Sequence, residues 1–120
     1  MDVQQIIINI NSPDPEALLR FYRDVVGLPP HPDPARESTV IAGGAEIVFD
    51  RHSAITVAAP QPERVLLNFF VADLAAEQRR LEAQGVRFIR SAGREFWGGV
   101  ISTFVDPDGN YAQIIEFRPE

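Results

Sequence analysis

The stretch FVDPDGNYAQIIEF, residues 104–117, sets a tight turn directly before a strand. Pro107 pre-sets the bend, and Gly109 takes the positive φ that such a turn needs. The run from Tyr111 onward is apolar and β-branched around a single central amide, Gln113. Two aspartates and a glycine are not enough for a calcium loop, because the third oxygen position and the distant glutamate are missing. The segment therefore reads as a hairpin closed by a half-buried last strand.

Moving upstream, VISTFV and VRFIRSA read as two further strands, preceded by the helix DLAAEQRRLEAQG. Asp73 is its N-cap and Gly85 its stop, and Leu74 and Leu81 face inward. Before it, VLLNFFVA (65–72) is a strand, so the second half reads β-α-β-β-β. The first half repeats the order. VQQIIINI (3–10) is a strand, and SPDPEALLRFYRDVVG is a helix with Asp14 as N-cap and Pro15 at its first position. Leu18, Phe21, Tyr22 and Val25 share its apolar face, and Gly27 ends it. After the proline-rich loop LPPHPDPARES come STVIA and AEIVFD, joined by a Gly43-Gly44 turn, with AITVA as a further strand candidate. The expectation is a single domain over 1–120, with one module over about 3–57, a linker over 58–64 and a second module over 65–118. Neither module can bury both its helix and its sheet alone, so the two are expected to pair.

Composition narrows the function classes. The chain has 120 residues, 45% hydrophobic and 23% charged, as in an ordinary globular domain. It has no cysteine, which excludes disulfides and thiolate ligands and suits a reducing cytoplasm. A net charge of −6 with scattered basic residues argues against a nucleic-acid partner. MDVQQIIINI lacks the basic region of a signal peptide, and no apolar run is long enough to span a membrane.

Two βαβββ units, with RFYRDVVGL in the first and LEAQGVRF followed by FVDPDGNYAQIIEF in the second, resemble the vicinal oxygen chelate superfamily. Its members include glyoxalase I, bleomycin-resistance proteins and extradiol dioxygenases. The resemblance implies an α+β fold of two βαβββ modules whose curved mixed sheets pair into a U-shaped trough for ligand. Pairing within one chain or between two is open, and a homodimer is usual. Metal-dependent members place His, Glu or Gln ligands at four strand positions. Carried over, these fall on Gln5, Leu66 and Gln113, with the remaining position inside AEIVFD, where Glu46 is the carboxylate. Leucine cannot bind a metal, and neutral amides are weak ligands for a divalent cation. The resemblance thus implies small-molecule binding with no cofactor. A lyase, isomerase or dioxygenase holding metal through Gln5, Glu46 and Gln113 is the alternative, with no catalytic residue assigned.

Strand alternation separates the faces. Ile6, Ile8 and Ile10 lie under the helix, and Gln5, Ile7 and Asn9 face the trough. Leu67, Phe69 and Val71 take the helix side, and Leu66, Asn68 and Phe70 the trough. In the last strand Ala112 and Ile114 are covered, Tyr111, Gln113 and Ile115 are open, and Glu116 points to the helix side or the rim. The candidate ligand-binding set is therefore Gln5, Ile7, Asn68, Phe70, Trp97, Phe104, Tyr111 and Gln113. Gln113 is read equally as a polar group for ligand and as an amide satisfied by its neighbours. Trp97, before Gly98 and Gly99, is read either as a pocket wall beside Tyr111 or as a core or interface residue. His31 and His52 are expected in solvent, with Asp50 and His52 as a weak acid–base pair.

Overall fold

The first strand lies at Ile7–Ser12, later than the 3–10 that composition predicts, and the capped helix follows where its pattern places it. In the computed structural model, which describes residues 1–56 and 58–119, β1 (Ile7–Ser12) leads into α1 (Pro15–Arg20). The Asp14 side chain accepts from Ala17 N at 3.2 Å, and Ser12 Oγ accepts from Asp14 N at 2.9 Å, so the helix start is capped from two directions. The helix then widens into a π-helical turn over Phe21–Val26, where Tyr22 O accepts from Gly27 N and Leu28 N. Gly27, at φ 93°, ends it. Leu18 and Tyr22 are fully buried, and the Tyr22 ring stacks on Phe49 with centroids 5.3 Å apart.

Contacts cluster the chain into two units, Met1–Val57 and Ala58–Glu120. The first holds a three-stranded sheet in the order β1-β3-β2, where β2 is Thr39–Ala42 and β3 is Ala45–Arg51. β1 runs parallel to β3, and β2 is antiparallel to it. AITVA does not supply a fourth strand. Ile55 N donates to His52 O and Ala54 N to His52 Nδ1, which turns the chain away, and Val57 lies outside the described residues. The outer position beside β2 is taken instead by the proline-rich segment, through a bridge between Pro30 and Val40. His31 N donates to Thr39 O and Ile41 N to Pro29 O. The prolines cannot donate, so this edge does not extend into a full strand. The βαβββ order survives in the first unit with one strand reduced to a bridge.

The second unit has four strands in the order β4-β7-β6-β5: β4 Leu67–Phe70, β5 Phe88–Arg94, β6 Gly99–Val105 and β7 Tyr111–Phe117. α2 (Leu74–Ala83) follows β4, capped by Asp73 through Ala76 N at 3.0 Å, and it buries Leu74 and Leu81. Glu116 reaches the same helix start from β7, its Oε1 accepting from Leu74 N at 2.9 Å. A hydrogen bond from Arg118, and then this backbone bond, hold the Glu116 carboxyl below its ordinary pKa. The DPDGN turn closes as read: Asp106 Oδ1 accepts from Asp108 N and Asn110 N, both at 2.9 Å, and Gly109 sits at φ 81°. Both sheets mix parallel and antiparallel pairs, so the fold class is α+β as expected. Among the described residues no helix is long and apolar enough to cross a membrane.

Candidate functional site

Pairing register assigns the uncovered face of each sheet. In the first unit Ile7 pairs with Glu46 and Asn9 with Val48, while Ile41 pairs with Glu46 from the other side. Ile47 and Phe49, the alternate residues of β3, are buried. Glu46 therefore stands on the face away from α1, with Ile7 and Ile41 as its flanking neighbours. Gln5, just before β1, donates from Nε2 to Glu46 Oε2. Glu46 Oε1 lies 2.9 Å from Arg36 Nη1 and 3.1 Å from His31 Nε2. That oxygen is sealed from solvent and accepts a well-aligned hydrogen bond from neither, so charge holds it rather than geometry.

This cluster corrects the reading of His31. Its side chain is 15% exposed, and both ring nitrogens are engaged: Nδ1 accepts from Asp33 N at 3.0 Å, and Nε2 faces Glu46. A ring that accepts at Nδ1 carries its proton on Nε2, pointed at the carboxylate. The proline-rich loop that holds His31 and Arg36 gave no spacing by which to foresee this. Their proximity to Glu46 arises from the Pro30–Val40 bridge. Asp50 and His52 do not act as a pair. Asp50 accepts from Asn9 Nδ2 at 3.2 Å, and His52 is used in its own turn.

In the second unit Asn68, Gln113 and Thr103 pair in register across β4, β7 and β6, forming a polar row on one face. Gln113 Nε2 donates to Thr103 Oγ1 at 3.0 Å, so the amide is partnered within the sheet. Asn68 and Phe70 are exposed on β4. Phe104 is on the opposite face. Ser102, two residues before it, donates to Gln78 of α2, and Phe104 itself is fully buried against Phe88, with centroids 5.6 Å apart. It has no surface to offer a ligand and belongs to the core.

Trp97 lies over Gly99, where an added Cβ would sit 2.1 Å from the indole, and stacks on Phe117 at 6.4 Å. Phe117 and Tyr111 are the two ends of β7, about 20 Å apart at the rise of an extended strand, so Trp97 is not beside Tyr111. With Arg94, Glu95, Phe96, Gly98 and Pro119, Trp97 lines an open recess of about 510 Å³. A second open recess, about 600 Å³, borders Gln5 and Glu46 in the first unit, with Val3, Gln4, Ile6, Gly44 and Ala45 around it.

The donor chemistry does not fit a metal. Among the described residues no three His, Cys, Asp or Glu side chains gather as a ligand set. Leu66 has no donor atom, a glutamine offers only a neutral amide oxygen, and the Glu46 charge is already met by Arg36.

The sequence profile of the Glyoxalase/Bleomycin resistance protein/Dioxygenase superfamily matches residues 4–114. No curated protein sequence matches the chain. Among solved structures, a member of that superfamily from Sphaerobacter thermophilus superposes with a TM-score of 0.73 at 20% identity, covering 96% of this chain and 98% of the other. A protein of unknown function from Agrobacterium tumefaciens gives 0.72 at 26% identity, covering 97% and 95%. An antibiotic binding protein, TnmS3, from Streptomyces sp. CB03234 gives 0.67 at 20% identity, covering 97% and 98%.

Proposed function

The chain belongs to the Glyoxalase/Bleomycin resistance protein/Dioxygenase superfamily, and from that premise we propose that it binds a small organic molecule without a metal and without turning it over. The observation that carries this reading is Glu46. The carboxylate nearest to a ligand position is bonded by Gln5, faced by His31 and compensated by the Arg36 guanidinium, so it has little charge left for a cation. His31 has both nitrogens engaged and offers no free base for proton transfer. What remains is binding surface on each unit by itself: the Gln5 amide with apolar Ile7 on the first, and the Asn68 amide with Phe70 on the second, where Tyr111 and Trp97 lie at opposite ends of the last strand.

The antibiotic-binding neighbour uses the same fold for such a task, and an amphipathic antibiotic or metabolite of similar character is the proposed ligand class. The proposal includes a homodimer, modules that pair into a trough within or between chains, and a cytoplasmic place of action. Nucleic acid and membrane are not proposed partners.

The test is elemental analysis of protein purified without tag or chelator, with thermal-shift titration by nickel, cobalt, zinc, manganese and iron(II). Substoichiometric metal and no saturable stabilisation are expected. Stoichiometric metal, or a saturable stabilisation that Gln5→Ala abolishes, would sink the metal-free reading and favour a lyase or dioxygenase.

A further inference from the structure

Asparagine and glutamine amides ordinarily leave open which end is oxygen and which is nitrogen. At Gln5 the question is closed by chemistry. Its partner is the Glu46 carboxylate, which when ionised can only accept, so Nε2 must point at Glu46. Glu46 in turn is anchored on its other oxygen by Arg36 and His31, and His31 is oriented by Asp33 N. The chain of contacts runs from a loop turn, through a ring and a mostly buried carboxylate, to one exposed amide. Among the described residues the Gln5 side chain makes no other hydrogen bond, and Gln5 lines the recess of about 600 Å³.

From this geometry we infer that Gln5 is a pre-oriented recognition edge, one acceptor beside one donor, which selects ligands that carry the complementary edge: a lactam, imide or primary carboxamide. This rests on the small-molecule reading and adds a substrate class to it. Charge decides against the obvious rival. A ligand ammonium drawn to Glu46 would compete with Arg36, whose guanidinium already compensates that carboxylate, whereas a neutral amide meets no such competition. An amide that is already held loses little rotamer entropy when a ligand binds it. Val3, Ile6 and Ala45 supply apolar surface for the ligand's hydrocarbon body.

The experiment is side-chain amide NMR on ¹⁵N-labelled full-length protein with three probes of one ring size: 2-piperidone, N-methyl-2-piperidone and cyclohexanone. In the free protein one Gln5 Nε2 proton should lie well downfield of those of the other glutamines, as a carboxylate-bonded proton does. Adding 2-piperidone should shift the second Gln5 proton and the Gly44 and Ala45 amides saturably. The N-methyl lactam and the ketone, which cannot donate, should bind about tenfold more weakly, the effect of one lost hydrogen bond. Gln5→Met, which keeps the length at an exposed position, should remove that discrimination. Equal affinities for the three probes, ordinary Gln5 proton shifts, or saturable binding in which Gln5 stays silent would each overturn the inference. Binding with Gln5 silent would leave the broader small-molecule reading standing, because that reading falls only on the metal measurements.

Discussion

At Gly99 a single absent carbon decides where the sole tryptophan lies. An added Cβ would come within 2.1 Å of the Trp97 ring, and Trp97 is itself packed on Phe117, so the indole cannot stay. Gly99→Ala is expected to shift Trp97 fluorescence to the red and to cost about 1–3 kcal/mol in urea unfolding, the usual penalty for overpacking. Gly93 is the control. There the obstructing atoms are the guanidinium of Arg90, a flexible end that can swing away at the loss of a surface pair with Glu95. Gly93→Ala should therefore move stability by less than about 1 kcal/mol. Thr103→Val tests the row across the second sheet. It keeps the shape but removes the acceptor of Gln113, and is expected to destabilise by about 1–2 kcal/mol. An unchanged midpoint would show that Gln113 finds another partner.

Among elements, α2 is tied to its sheet by its first turn as well as by its apolar face. Asp73 caps it from within, and Glu116 bonds Leu74 N from a strand 42 positions away. Asp73→Ala should cost about 1 kcal/mol. The Glu116 pKa is lowered in the folded protein, so its contribution is complete above the ordinary carboxylate pKa and is lost as pH falls through the lowered value. The stability gap between wild type and Glu116→Gln should thus be open at neutral pH and close on acidification below the ordinary carboxylate range. A gap that stays constant to the lowest pH would count against the carboxylate. Both helices, their caps at Asp14 and Asp73 and their glycine stops were legible because capping and period are short-range chemistry. The AITVA strand was misread for a related reason. Its composition favours a strand, but His52 turns the chain there, and a pairing between distant segments, Pro30 with Val40, takes the outer edge.

For the whole molecule, apolar side chains near the free edges of β1 and β4 bear on assembly. Ile6 is 72% exposed, Val65 73% and Phe70 65%, more than a monomer gains by showing to water. The proposed homodimer predicts a sedimentation mass of twice 13.4 kDa at micromolar concentration. Phe70→Lys should shift the population toward monomer, and a monomer at all concentrations in the wild type would refute the proposal.

By itself the sequence determined the doubled order of strands and helices, the caps, the DPDGN turn and much of the strand alternation, although Ile6, expected under the helix, is exposed and Ile115, expected open, is buried. Each of these depends on neighbours a few residues apart, where propensity and hydrogen-bond reach suffice. Only the tertiary structure decided that Glu46 meets Gln5, Arg36 and His31, that Gln113 is satisfied by Thr103, and that Trp97 rests on Gly99 rather than beside Tyr111. Those contacts hang on strand register and on a loop bridged to a strand edge. Register is set by the packing of the whole sheet, and composition at any one of these positions carries no trace of it.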